Sequence, residues 1–108
     1  MNQTKFSWLV QQQLNKCQQL LVTKGIEYQA GDVDVLHNFK VAGRVRNITP
    51  EKALLGMELK HYVSIMDIVD NIESDLPSLD KLDEKITDEI NYLLLLKALI
   101  LERHETKL

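Results

Sequence analysis

A single cysteine, Cys17, stands in 108 residues, which excludes an internal disulfide and a thiolate metal cluster; a reducing cytoplasm is the expected home. Glycine and proline together fill only six positions, and 44% of the chain is apolar against 27% charged, so the chain is neither fibrous nor disordered. The longest apolar run is too short to cross a bilayer, and the opening MNQTKFSW lacks the apolar core of a secretory signal. There is no glycine-rich phosphate loop, no Ser-His-Asp pattern and no His/Cys metal spacing. Repeats, low-complexity tracts and sustained β alternation are absent as well. What remains is one helical domain, 1–108.

Net charge is only −3, but it is unevenly spread. Residues 1–60 hold eight Lys/Arg against five Asp/Glu, whereas residues 61–108 hold five against eleven. Nine acids and two lysines fall between Asp67 and Glu89. A nucleic-acid duplex would be repelled by that half, so DNA coating is not expected. A divalent metal, or a nucleotide carried with one, fits better.

The first helix is expected from about Thr4 to Lys24, with Trp8, Leu9, Leu14, Cys17, Leu20 and Leu21 apolar and Gly25 as its stop. Gly31, Asp32 and Asp34 mark a loop. A short helix follows over Val35–Val45, turning Leu36, Phe39 and Ala42 inward. Thr49-Pro50 is a helix start, a capping threonine before proline at the first helical position. The third helix runs to about Glu73, with Leu54, His61, Ile65, Ile68 and Ile72 on one side. After the Ser74–Ser78 loop, the fourth occupies Asp80–His104. The expected architecture is an all-α bundle of three long helices and one short one.

The fourth helix poses the main question. Glu84, Asp88 and Asn91 form one polar stripe; Leu82, Ile86, Ile90 and Leu93 form an apolar stripe roughly opposite. From Leu93 to Leu101 only Lys97 interrupts the apolar run, and such a segment must be covered on every side. A homo-oligomer built through the first and fourth helices is therefore expected. The carboxylates form either a solvated face or the wall of a site. The short helix adds a basic stripe, His37, Lys40 and Arg44, and the third adds Lys60, Ser64 and Asp67 with Asp70 beyond. Carboxylates on neighbouring helices repel unless cations lie between them, which is how a bundle holds Mg²⁺. His61 reads as a hydrogen-bonded core histidine and Cys17 as a small buried hydrophobe. Tyr92 either packs or stacks on a base.

Three segments carry a resemblance: VLHNFK (Val35–Lys40), TPEKALLGMELKHYVSIMDIV (Thr49–Val69) and EKITDEINYLLLL (Glu84–Leu96). They resemble a family of small phage and prophage proteins grouped with nucleotide-modification-associated, MazG-like all-α proteins. HNF, KH-x-x-S-I-x-D and D-x-x-N-Y are its most specific pieces, and it covers about Tyr28 to Leu101. The resemblance implies a phage origin, a MazG-like helical bundle and a nucleotide-related role. MazG-type pyrophosphohydrolases bind Mg²⁺ and activate water through E-x-x-E on one helix and E-x-x-D on the next. Here Asp67-x-x-Asp70 takes the place of the first pair, with the thirteen residues Asn71–Asp83 between it and Glu84, but Lys85 stands three residues before Asp88 where the pattern has Glu. The expectation is therefore nucleotide binding or sequestration, including of a defence signal, without efficient hydrolysis. His37, Asn38, Lys40, Arg44, Lys60, Ser64, Asn91 and Tyr92 are the expected ligand residues; Asp67, Asp70, Glu84 and Asp88 are the expected metal residues. The alternatives are an Mg²⁺-dependent nucleoside triphosphate pyrophosphohydrolase, and a protein that inhibits a host defence enzyme.

Overall fold

In the computed structural model, residues 1–23 and 34–106 are described, and the packing falls into two compact units, Met1–Val33 and Asp34–Leu108. The described residues are helical, with no strand among them. The stop expected at Gly25 and the loop expected at Gly31 and Asp32 lie outside the described residues.

In the first unit, α1 spans Gln3–Gln18 and continues as a π-helical turn over Gln19–Thr23. Asn2 caps it, its side chain accepting from the Lys5 backbone N–H at 2.8 Å. Cys17 is buried, and Gln13 Nε2 approaches its sulfur at 3.5 Å.

The second unit begins at Asp34, whose carboxylate accepts from the Leu36 N–H at 3.0 Å and leads into α2, His37–Arg46. The helix ends at Asn47 in the left-handed conformation, φ 56°, a residue type that tolerates it. The Ile48 N–H then returns to the Gly43 carbonyl at 2.9 Å. At this corner Gly43 is indispensable: a Cβ would lie 2.9 Å from the Ile48 carbonyl oxygen and 3.1 Å from the Pro50 nitrogen. Gly43→Ala is accordingly expected to cost about 1–2 kcal/mol through overpacking. Urea denaturation checks this; unchanged stability would show that the corner yields freely.

Helix α3, Pro50–Asp70, starts as its sequence dictates, Thr49 Oγ1 accepting from the Lys52 N–H. It ends three residues earlier than expected. Asn71 turns the chain out, its backbone N–H and side-chain amide both donating to the Asp67 carbonyl. Helix α4, Leu79–Thr106, is capped by Ser78, whose hydroxyl accepts from the Lys81 N–H at 3.1 Å.

Leu36 and Phe39 of the α2 region, Leu54 of α3 and Leu99 of α4 form the core of this unit, with Tyr92, Leu95, Leu96 and Ala98 packed against it. The rotation of α4 follows from that core. Residues 84, 88, 91, 95, 99 and 102 share one face at helical spacing, so seating Leu95 and Leu99 draws Asp88 and Asn91 inward. Thr87 and Asn91 are buried, whereas Leu82 and Leu93 of the apolar stripe are exposed. The polar stripe is therefore a wall facing α3 along its inner part, with only Glu84 remaining in solvent.

Candidate functional site

Three helix ends meet at one end of the second unit and leave a cavity of about 270 Å³. Helix α2 brings Lys40 and Arg44, the start of α3 brings Pro50 and Glu51, and the last turns of α4 bring Leu99, Glu102, Arg103 and Thr106. Lys40 and Arg44 are four residues apart on α2, so they point the same way. Glu102 and Arg103 follow Leu99 by three and four residues, so seating Leu99 carries both to the rim.

The electrostatics distinguish the three cations. Lys40 Nζ lies 2.6 Å from Asp34 Oδ2 and 2.5 Å from Glu102 Oε1. These hydrogen bonds, that with Asp34 foremost, hold the Lys40 ammonium above its ordinary range. Arg103 Nε donates to both Glu51 oxygens at 2.9 Å, and this bond holds the Glu51 carboxyl below the usual carboxylate range. Arg44 has no carboxylate partner among the described residues, so it is the lining cation free to meet an incoming anion. The first turn of α3 adds the positive end of a helix dipole.

Neither a family model, nor a curated protein, nor a solved structure matches this chain. The chemistry of its sites rests on its own residues.

A second polar place lies between α3 and α4. His61 Nδ1 stands 3.6 Å from Asp88 Oδ2, and its ring packs on that of Tyr92, with centroids 5.1 Å apart. Beside them the carboxyls of Glu58 and Glu89 meet across the two helices. Burial pushes the Glu89 carboxyl up to about 7, and the hydrogen bond and negative charge of Glu58 act in the same direction. The pair thus retains a proton near neutrality, because two carboxylates in partial burial cannot both ionise cheaply. Burial, then Asp88 and Glu58, raises the Tyr92 phenol. Asn91, at 8% exposure, keeps a buried Oδ1 without a partner.

The expected ligand residues divide among several places. Lys40 and Arg44 share the cavity, while His37 and Asn38 are exposed at the start of α2. Lys60 is exposed and Ser64 half-buried on α3, and Asn91 and Tyr92 belong to the contact of α3 with α4. Tyr92 packs on the core.

The expected metal set is not assembled. Among the described residues no three His, Cys, Asp or Glu side chains form a group able to hold an ion. Asp88 faces His61, and Asp67 is six residues further along α3, about 9 Å at helical rise. Asp67 instead borders a small recess at the α3–α4 turn with Asn71, Asp75 and Lys81, while Asp70 and Glu84 are exposed.

Glu58 and Glu89 went unnoticed in the sequence because their stripes were drawn from other residues. Glu58 is three residues before His61 and four after Leu54, a spacing that places it on the inner side of α3. Arg103, not singled out among the expected ligand residues, is a lining residue. Its signal was the spacing of Glu102 and Arg103 from Leu99.

Proposed function

We infer that this chain binds a nucleotide, or a nucleotide-derived signal, through its phosphates at the Lys40–Arg44–Arg103 cavity, without efficient hydrolysis. The observation that carries this is Arg44, a guanidinium without a described carboxylate partner, beside two further cations and a helix start around a cavity of about 270 Å³. That volume is near the lower end for small-ligand sites and suits the phosphate-bearing part of a mononucleotide. Guanidinium groups grip phosphate oxygens by paired, charge-assisted hydrogen bonds. The MazG-like resemblance supports the nucleotide as ligand and a phage role, in nucleotide metabolism or in sequestering a host defence signal within the cytoplasm. Any Mg²⁺ would arrive with the phosphates.

A second reading, a MazG-like pyrophosphohydrolase, rests on the carboxyls of Glu58, Asp88 and Glu89 on facing helices, which among the described residues do not by themselves form an ion-holding group. The two readings are separable because Asp88 and Glu102 are fourteen residues apart on one helix, about 21 Å. Asp88→Asn is expected to leave nucleotide affinity unchanged by calorimetric titration. A loss of affinity would move the site to the second place. Incubation of common nucleoside triphosphates with Mg²⁺ or Mn²⁺ is expected to release negligible pyrophosphate. Robust release that vanishes in Asp88→Asn would establish the enzyme instead.

Self-association belongs to the same proposal. Leu93, Ile100 and Leu101 are exposed on α4 and line a shallow apolar groove with Leu96 and Lys97. The primary test is to release small molecules from the purified protein, identify them by mass, and follow thermal stabilisation by a panel of nucleotides. Stabilisation by none of them would leave a protein-binding inhibitor of a host enzyme as the reading.

A further inference from the structure

Helix α3 has a second apolar stripe that its packing in the second unit does not use. Leu55, Leu59, Tyr62, Met66 and Val69 follow one another at steps of four, three, four and three residues. They are 47%, 56%, 49%, 46% and 61% exposed, respectively. The inner face of the same helix carries Leu54, His61 and Ile65, so the stripe is a separate side rather than the margin of the core. A repeat averaging 3.5 residues is the seam of a coiled coil, and five exposed positions extend over about 21 Å. Isolated exposed apolar residues need no explanation, but a continuous helical seam of this length marks an interface.

The charges at its two ends select the occupant. Lys52, one step before Leu55, is exposed at the start of the seam; Asp70 and Glu73 are exposed at its end. None of the three has an ion-pair partner among the described residues. A seam that is basic at one end and acidic at the other complements an inverted copy of itself, whereas a parallel copy would set like charges together.

We propose that two copies of this chain dock antiparallel along the α3 seam, with the two-fold axis near Tyr62 and Val63, Leu59 opposite the partner's Met66, and Lys52 within side-chain reach of the partner's Asp70, the last residue of the helix. The proposal is independent of the nucleotide site. Its Leu59–Met66 pairing uses the two large side chains flanking the axis, and each Lys52–Asp70 pair occurs twice by symmetry.

Light scattering at micromolar concentration should give at least twice the 12.5 kDa chain mass. In a Cys17→Ala background, Leu59→Cys and Met66→Cys proteins should each fail to cross-link alone under mild oxidation, and should form a mixed disulfide dimer when combined. Lys52→Glu should weaken the dimer about tenfold, since two rim ion pairs are lost, and adding Asp70→Lys should restore it. The restoration separates loss of the interface from loss of the fold. A monomeric wild type, self-cross-linking of either single-cysteine protein, or a dimer indifferent to the charge swap would each overturn the proposal.

Discussion

Arg44→Glu is expected to abolish nucleotide binding, with affinity falling about 100-fold or more. A charge-assisted hydrogen bond contributes roughly 1.5–3 kcal/mol, and a carboxylate in its place adds repulsion toward the phosphates. Arg44 is the informative position because it has no described partner and is exposed, so its loss removes no ion pair that supports the fold. Lys40→Glu would be less clean, since it would set a carboxylate against Asp34 and Glu102. The wild-type affinity should also fall steeply as salt is raised, because the contact is solvent-accessible and ionic. Calorimetric titration at two ionic strengths measures both effects. Equal affinity in wild type and Arg44→Glu would eliminate the cavity as the phosphate site.

Stability should fall as pH rises from about 5 to about 8, and the Glu89 carboxyl is the reason. Its value rises from the ordinary 4.5 to about 7 in the folded chain, so between those limits the folded state holds a proton that the unfolded state has released. Stability contributed in this way is complete below the lower value and lost as pH passes the upper one. The full difference corresponds to about 3 kcal/mol, and the partial exposure of Glu89 screens it to about 2 kcal/mol. Glu89→Gln mimics the protonated form, so it should flatten this dependence and stabilise the chain by a similar amount at the alkaline end. Urea melts of both proteins across the range decide it. A wild-type curve that is flat, or that rises with pH, would mean Glu58 and Glu89 do not share a proton in solution.

The starts of the helices were legible because capping is local chemistry. Thr49-Pro50 and Ser78 each lie within hydrogen-bond reach of the N–H groups they satisfy, so a few residues decide the boundary. The end of α3 was less legible, because Asn71 terminates the helix by folding its own amide back onto Asp67, a choice that competes with continued helix. The basic stripe was half legible. Helical spacing placed Lys40 and Arg44 together, but it also grouped His37 with them, which remains exposed. Glu51 stands more than 50 residues from Glu102 and Arg103, and no periodicity connects it with them.

By itself, the sequence determined an all-helical chain, the order of its helices and the residues available at each turn, because periodicity, caps and breakers act over one or two turns. Tertiary structure alone decided the rotation of α4. Two stripes on its first half competed for the interior, and local pattern favoured Leu82 and Leu93. Burial of Leu95 and Leu99 two turns further on set the rotation for the whole rigid helix, so Asp88 and Asn91 turned inward and the leucines turned out. The same packing placed Asp88 against His61 rather than near Asp67, and brought Glu58 to Glu89. Which polar groups meet across two helices depends on their rotation and axial offset, and these are properties of the packed core rather than of either helix.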